Sequence, residues 1–300
     1  YNAKVYWFLM DMAPMTGGCH FAWDCLGYTK DCSNCPATKK IFNSLAKNEL
    51  QHKRQVLKEL DAEIISGTSW LTRQAKQSSL FEFSKIHDVL LGINEDVFKP
   101  LDAKKIGFYK EKYKLDKSKR IIAFGTSKIS EERKGFEYLL NALKILFSRS
   151  EVDASNYLLV TAGVLADQDL FVDIEHVHIG YLGSDIELAS FYQMSDVFVS
   201  PAIEDSGPMM INESIMCGTP VVSFNMGVAT DLIIENETGY IAELKNSHDL
   251  ALGIERILNL NNGDYKKMRD NCRNTGIKKT SVSVQMGKIN NILKEPEVSQ

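Results

Sequence analysis

Short apolar runs alternate with helical patterns along most of the chain, and this alternation restricts the fold more than any other feature. Runs with the length of buried strands lie at 121–124, 157–161, 177–179, 197–200, 221–224 and 240–242. The clearest helical pattern between them keeps apolar side chains on one face for three turns, at Phe136, Leu139, Leu140, Leu143, Leu146 and Phe147. Strands and helices that alternate in this way form βαβ units around a parallel sheet, so we predict an α/β fold.

A second set of such elements precedes residue 94 and predicts a separate domain. Strand-like runs lie at 1–9, 63–66 and 86–91, and the charged segment 94–104 is typical of a linker. A length of 300 residues suits two α/β units. We predict a first domain over 1–101, a second over 102–280 and a helical C-terminal segment over 281–300 that crosses back to the first domain. Because a strand opens the chain, we expect the first domain to lack its front.

Composition excludes several classes of protein. The formal net charge of −4 argues against binding of nucleic acid through phosphate neutralisation. No apolar run approaches the roughly 18 residues of a membrane span. The sequence shows no secretory leader pattern, and six cysteines in 300 residues are too few for a disulfide scaffold. We therefore expect a cytoplasmic protein.

Ligands of an open parallel sheet bind beyond the carboxyl ends of its strands, so the loops there are the candidate sites. The loop after the first strand of the second domain begins at Gly125 and carries Arg133 and Lys134 just before a helix. Free N–H groups at the helix start and two cationic side chains suit a diphosphate. A solvated basic pair beside Glu131 and Glu132 is an equally good interpretation.

A second loop carries Asp205 and Pro208 and leads into a helix that contains Glu213. Proline suits the first helical turn because its missing N–H has no partner there. We expect the carboxylates of Asp205 and Glu213 to converge on one ligand, since carboxylates accept hydrogen bonds from sugar hydroxyls. The alternative is that both acids only stabilise the helix dipole.

The segment 204–222 resembles the donor-site signature of family-4 glycosyltransferases, which have the GT-B fold. It reads Glu204-Asp205-Ser206-Gly207-Pro208-Met209-Met210-Ile211-Asn212-Glu213-Ser214-Ile215-Met216-Cys217-Gly218-Thr219-Pro220-Val221-Val222. Weaker landmarks of the same family occur in the same order, as Ser69-Trp70-Leu71, Gly92-Ile93-Asn94, Arg133-Lys134-Gly135 and Thr238-Gly239-Tyr240. The resemblance extends over nearly the whole chain. It implies two Rossmann-like domains with parallel sheets across a cleft, the first of them incomplete here.

The resemblance also implies a function. A protein of this family is a retaining glycosyltransferase of the hexosyltransferase type and needs no catalytic metal. Its donor is a nucleotide-sugar of the UDP, GDP or ADP type, and its acceptor is a glycan or a lipid-linked molecule. The subgroup that this chain resembles acts in polysaccharide or lipopolysaccharide assembly, so a peripheral contact with the inner face of the membrane is expected.

The family's site residues are assigned here only by resemblance. Glu213 is expected to hold the ribose hydroxyls, Asp205 the transferred sugar and Lys134 the diphosphate, the last two as catalytic residues. The remaining donor-binding positions are Arg133, Gly207, Pro208, Met209, Met210, Gly125 and Thr126. In the family, glutamate is usual where Asp205 stands, and an arginine is usual where Thr126 stands.

The first domain departs further from the family pattern. Met10 occupies a position where the family often has a histidine, and a thioether supplies neither a good hydrogen bond nor a proton. We expect Asp11 to take that catalytic role. Gly17 and Gly18 are candidate contacts for the acceptor or the sugar, with a plain tight turn as the alternative. The departures leave two other functions open, a non-catalytic nucleotide-sugar-binding relative or assembly subunit, and a GT-B-fold sugar epimerase.

A cysteine-rich loop occupies residues 11–38. Its cysteines have the spacing C-x5-C-x6-C-x2-C and lie at Cys19, Cys25, Cys32 and Cys35. Four thiolates in a segment without an apolar core suit a tetrahedral structural zinc ion, with His20 as an alternative ligand. Unligated thiols or a disulfide pair are the competing interpretations.

Overall fold

The computed structural model describes residues 3–164 and 174–294. The first two residues of the predicted opening strand and the last six of the predicted C-terminal segment lie outside the described residues. The described chain forms two compact units, one made of residues 3–91, 204–207 and 287–294, the other of 92–164, 174–203 and 208–286. The domain limits at 101 and 280 and the crossing of the last helix stay predictions.

The first unit contains a parallel sheet of three strands in the order β1-β2-β3. Its elements are β1 (Tyr6–Leu9), α1 (Asn43–Leu60), β2 (Glu63–Ser66), α2 (Ser69–Gln77) and β3 (Ile86–Asp88). Thr68 begins α2, because its hydroxyl accepts a hydrogen bond from Leu71 N at 3.1 Å. The core of the unit is apolar and includes Leu9, Ile64 and Leu71.

The cysteine-rich loop follows β1 and is anchored in this core. Its regular structure consists of two 3₁₀ turns, Ala13–Met15 and Gly27–Thr29. Met12, Met15 and Tyr28 are buried in the same apolar cluster as the strands. Tyr28 also donates its hydroxyl hydrogen to Gln74 Oε1 at 2.5 Å. The loop is therefore packed onto the unit although it has little secondary structure.

The second unit contains six parallel strands in the order β6-β5-β4-β7-β8-β9. The strands are β4 (Arg120–Lys128), β5 (Tyr157–Val164), β6 (Glu175–His178), β7 (Val197–Ser200), β8 (Val221–Phe224) and β9 (Gly239–Ala242). β7 and β8 are buried throughout, which explains their continuous apolar sequences. The predicted α/β class with parallel sheets is confirmed.

The remaining helices follow β3 and connect or flank these strands. They are α3 (Ala103–Lys112), α4 (Phe136–Phe147), α5 (Asp185–Met194), α6 (Met209–Met216), α7 (Ala229–Leu232), α8 (Ser247–Leu258), α9 (Asn262–Thr280) and α10 (Val282–Lys294). Among the helices of the described residues, none combines the length and the apolar content needed to cross a bilayer.

The strand order of the second unit locates its ligand-binding edge. Numbered within the unit, the order is 3-2-1-4-5-6, which is the doubly wound arrangement. In it the order in which strands are added to the sheet reverses between the first and the fourth strand. Here these two strands are β4 and β7, which pair directly. A ligand of this sheet is expected beyond their carboxyl ends.

Candidate functional site

A cavity of about 120 Å³ lies at this reversal point. It is lined by Phe124, Gly125, Thr126, Ser127, Lys134, Phe198, Ser200, Pro201, Ala202, Pro208, Met209 and Met210. These residues come from the ends of β4 and β7, the loop before α4 and the first turn of α6. The structure therefore brings together six of the predicted donor-binding residues, Gly125, Thr126, Lys134, Pro208, Met209 and Met210.

Thr126 is the unsatisfied polar group of this cavity. Its side chain is only 7% exposed, and its hydroxyl has no hydrogen-bond partner among the described residues. Leaving a buried hydroxyl unpaired costs roughly 1–3 kcal/mol. A ligand with an acceptor oxygen at this point would remove that cost.

Gly125 allows the backbone itself to form part of the cavity wall. A Cβ atom at this position would lie 2.4 Å from Met210 Cε and 3.2 Å from a ring carbon of Phe191. The absence of a side chain thus lets β4 pass close to α6 at this point.

The two basic residues of the loop before α4 have different environments. Both lie in a 3₁₀ turn, Glu132–Lys134. Arg133 donates through Nε to Glu131 Oε1 at 2.6 Å and is not among the residues that line the cavity, whereas Lys134 does line it. The sequence left open a solvated basic pair beside Glu131 and Glu132, and the structure pairs Arg133 with Glu131 while leaving its side chain only 16% exposed. Its role in donor binding stays a prediction.

Gly135 joins this turn to α4 in a conformation that favours glycine, with φ of 71°. A Cβ there would lie 1.8 Å from the carbonyl oxygen of Pro201. The loop after β7 is held to the same turn by Ile203 N, which donates to Arg133 O at 2.9 Å. The two loops that form the cavity are therefore fixed to each other.

Glu213 lies on α6, one turn beyond the cavity-lining methionines, and is 8% exposed. Its Oε2 accepts a hydrogen bond from the hydroxyl of the fully buried Tyr192 at 2.6 Å. Burial raises the pKa of Glu213 above its ordinary value, and burial also raises the pKa of Tyr192 well above 10, so Tyr192 remains a protonated donor. Glu213 is not among the residues that line the cavity itself.

Asp205 belongs to the segment Glu204–Gly207, which groups with the first compact unit. It is 5% exposed, and its Oδ1 accepts a hydrogen bond from Gly207 N at 3.1 Å. This bond closes a turn of the Asx type. Since Asp205 and Glu213 lie in different units, their convergence on one ligand stays a prediction.

The same segment is held within the first unit by three hydrogen bonds. Ser206 donates through Oγ to Met10 O at 2.8 Å, and Ser206 O accepts from Thr68 Oγ1 at 2.7 Å. Glu204 Oε1 accepts from Trp23 N, in the cysteine-rich loop, at 3.3 Å. The end of β1, the start of α2 and the cysteine-rich loop thus all meet the segment that carries Asp205.

Asp11 forms a pair that the sequence did not predict. One carboxylate oxygen accepts from Ala13 N at 2.7 Å, and the other lies 2.7 Å from His20 Nδ1. The sequence analysis considered His20 only as a metal ligand. The pairing depends on how the loop turns back, and no local motif indicates it. Met10, next to Asp11, is 61% exposed.

Gly17 and Gly18 both have a structural reason to be glycine. A Cβ at Gly17 would lie 2.3 Å from Ala46 O on α1, and Gly18 has φ of 127°. Thr16 Oγ1 accepts hydrogen bonds from the N–H groups of Gly18 at 3.2 Å and Cys19 at 2.8 Å. A tight turn is thus what the structure shows, and their contact with sugar or acceptor stays a prediction.

Cys19, Cys25, Cys32 and Cys35 line one small cavity of about 20 Å³. All six cysteines have free thiols. Within residues 3–164 and 174–294, no group of three or more His, Cys, Asp or Glu side chains is already arranged to hold a metal ion. The zinc site therefore stays a prediction.

Strand order and cavity together define a Rossmann-like ligand-binding α/β unit. Residues 106–279, more than half of the chain, match the sequence profile of glycosyl transferases group 1. The chain belongs to this family.

Similar proteins agree with this assignment. The capsular polysaccharide biosynthesis glycosyltransferase CapM of Staphylococcus aureus is 28% identical over 126 residues, which cover 42% of this chain and 30% of CapM. This chain spans between 32% and 40% of the length of the first curated relatives it matches.

Solved structures show the same fold. A glycosyltransferase from Rickettsia africae superimposes with a TM-score of 0.68 at 22% identity, over 81% of this chain and 67% of that protein. The Anabaena protein HepE in complex with UDP superimposes with a TM-score of 0.71 at 12% identity, over 98% of this chain and 72% of HepE. The predicted GT-B fold class is confirmed by these likenesses.

Proposed function

We propose that this chain is part of a retaining family-4 glycosyltransferase that transfers a hexose from a nucleotide-sugar to a glycan or lipid-linked acceptor. The observation that carries the proposal is the cavity between the ends of β4 and β7. It combines the cationic Lys134, the unpartnered hydroxyl of Thr126 and the amino end of α6. These are three kinds of group that bind phosphate oxygens.

In this proposal the diphosphate of the donor occupies that cavity. Lys134 meets its negative charge and stabilises the charge that develops when the nucleotide leaves. Thr126 donates a hydrogen bond where relatives use arginine, and N–H groups from Gly207 to Met210 supply further donors. HepE has been solved with UDP, which supports a nucleoside diphosphate as the ligand class.

The carboxylates act on hydroxyl groups. Glu213, held by Tyr192, accepts hydrogen bonds from the ribose, and Asp205 accepts them from the transferred sugar. Met10 stands where the family often has a histidine. The pair of Asp11 and His20 takes the role of that histidine on the side of the reacting sugar. Gly17 and Gly18 shape the loop that meets the acceptor.

One relative supports the proposed class of acceptor. CapM acts in capsular polysaccharide biosynthesis, which supports a glycan or a lipid-linked glycan as acceptor. A lipid-linked acceptor would place the protein in the cytoplasm in peripheral contact with the membrane.

A transfer assay tests the proposal. The protein is incubated with UDP-, GDP- and ADP-glucose and a lipid-linked glycan acceptor, released nucleotide is measured, and the new linkage is assigned by NMR. We expect acceptor-dependent release from one donor and an unchanged anomeric configuration. Asp205→Asn preserves the turn to Gly207, since an amide oxygen also accepts from N–H, but removes the charge, so transfer should fall while nucleotide binding persists.

Other outcomes decide between functions. Inversion of configuration would contradict the retaining mechanism. Consumption of the donor without an acceptor would indicate an epimerase. Binding of donor without release would favour a non-catalytic nucleotide-sugar-binding subunit, which the exposed Met10 in the histidine position makes the second candidate.

A further inference from the structure

We infer that Cys19, Cys25, Cys32 and Cys35 form a structural zinc site in the loop after β1. The inference does not depend on the proposed function, because it concerns a different part of the chain. Each thiol is partly buried, and all four line the same cavity. That cavity holds no room for an organic ligand, since its volume of about 20 Å³ is close to that of a single water molecule.

The thiols are neighbours in space as well as in sequence. The side chains of Cys19 and Cys35 line the same cavity. A Cβ built on Gly27 would lie 3.4 Å from the sulfur of Cys25 and 3.8 Å from that of Cys32, so these two sulfurs also flank one point of the backbone. The loop thus collects four sulfur atoms around one small space.

A backbone N–H group points at one of these sulfurs. Gly27 N donates to Cys25 Sγ at 3.4 Å. Donors of this kind stabilise negative charge on sulfur and orient the ligands of a metal.

The structure also chooses between the two ligand sets that the sequence left open. His20 pairs through Nδ1 with Asp11 at 2.7 Å and is not among the residues that line the thiol cavity. A site of four cysteines therefore fits better than one in which His20 replaces a cysteine.

Ion binding requires the sulfurs to draw together. No three of these side chains are at metal-binding geometry among the described residues. Zinc prefers four ligands at about 2.3 Å from sulfur. Between Cys25 and Cys32 the regular structure is one short 3₁₀ turn, Gly27–Thr29, so no long helix or strand holds these two side chains apart.

Such a site would fix residues that matter for the rest of the unit. Trp23, which donates to Glu204, lies between Cys19 and Cys25, and the buried Tyr28 lies between Cys25 and Cys32. The metal would thereby stabilise both the packing of the loop and its contact with the segment that carries Asp205.

Metal analysis of the whole chain tests the inference. The protein is purified without added metal or chelator, and its zinc content is measured by mass spectrometry together with thiol reactivity before and after a strong chelator. We expect one zinc per chain and four thiols that react only after chelation. Absence of zinc with all four thiols freely reactive, or a disulfide between them, would overturn the inference.

Matched variants locate the ion. Cys32→Ala and Cys35→Ala should lose zinc, whereas Cys217→Ala and Cys272→Ala remove cysteines buried in the second unit and should retain it. Zinc retained in Cys32→Ala and Cys35→Ala would show an ion bound elsewhere and contradict the site. Should the two loop variants fail to fold, cobalt substitution of the unaltered protein keeps the test open, because thiolate ligands give a cobalt charge-transfer absorption that other ligands lack.

Discussion

The buried hydroxyl of Thr126 has no hydrogen-bond partner among the described residues. Replacing Thr126 therefore tests nucleotide affinity and thermal stability separately. Thr126→Val keeps the shape of the side chain and removes the hydroxyl. We predict that affinity for the bound nucleoside diphosphate falls by about 0.5–1.5 kcal/mol, which is roughly 2- to 12-fold, while thermal stability does not fall, because no internal hydrogen bond is lost. Calorimetry and thermal unfolding measure the two quantities.

Thr219→Val is the matched control. Thr219 is equally buried, but its hydroxyl donates to Tyr192 O at 2.8 Å. This variant should therefore lose stability. A Thr126→Val protein that loses stability in the same way, with unchanged affinity, would show that Thr126 is only structural.

Glu213 should give nucleotide binding a pH dependence of its own. Burial raises the pKa of Glu213 above 4.5, so the carboxylate takes up a proton at a higher pH than an exposed glutamate does. Protonation removes the charged acceptor, and affinity should fall as the pH is lowered through that raised pKa. Glu213→Gln should bind about 1.5–3 kcal/mol more weakly at neutral pH and lose this dependence. Equal pH profiles of the two proteins would contradict the ribose role.

On the sequence alone, His20 is expected only as an alternative zinc ligand, since its contact with Asp11 joins residues nine positions apart in a loop. If the pair moves or orients a proton, His20→Ala should lower kcat by about 10²-fold or more and leave nucleotide affinity unchanged. His52→Ala, an exposed histidine on α1, is the control and should behave as the unaltered protein. A normal kcat in His20→Ala would exclude the pair from catalysis.

At the scale of elements, Gly135 shows how a backbone conformation positions the candidate site. Gly135→Ala places a side chain at φ of 71° and 1.8 Å from the oxygen of Pro201, so the turn before α4 has to move away from the loop after β7. The left-handed conformation alone costs roughly 1–2 kcal/mol for a residue with a Cβ. We predict a loss of at least that size in urea unfolding, together with weaker nucleotide binding.

Gly107→Ala is the control for this substitution. Gly107 lies inside α3, and a Cβ there meets no atom within 4 Å. Because alanine is favoured over glycine within helices by up to about 1 kcal/mol, this variant should be more stable. Equal stability of both variants would show that the turn before α4 tolerates rearrangement.

Local patterns predicted the elements of the second unit well because β4, β5, β7 and β8 are largely buried. Five of the six predicted runs there lie within an observed strand, as 121–124 does in β4, and the run at 177–179 extends one residue past β6. In the first unit, the observed strand β3 is shorter than the strand predicted at 86–91 and ends at Asp88. Helix α9 begins after Asn261, whose side-chain oxygen caps it by accepting hydrogen bonds from Gly263 N and Asp264 N at 3.0 Å.

At the scale of the whole molecule, the order of the strands in the sheet cannot be predicted from local sequence patterns. Adjacent runs in sequence predict a parallel sheet, but the central place of β4 depends on pairing with β7 across some seventy residues. The segment Glu204–Gly207 groups with the first unit for the same reason, through long-range hydrogen bonds from Thr68 and Trp23. Six of the twelve residues that line the candidate cavity were predicted by resemblance, whereas the different settings of Arg133 and Lys134 were not.

The most direct test of the account is calorimetric titration of the chain with UDP, GDP and ADP, alongside Lys134→Ala and Lys128→Ala. Lys134 lines the cavity, whereas Lys128 is an exposed lysine at the end of the same strand, β4. We predict that one of the three nucleotides binds. Lys134→Ala should weaken the affinity for that nucleotide by about 10-fold or more, because a charge-assisted hydrogen bond is lost. Lys128→Ala should leave the affinity unchanged. Absence of binding by all three nucleotides, or equal affinity in Lys134→Ala, would contradict a donor site at this cavity.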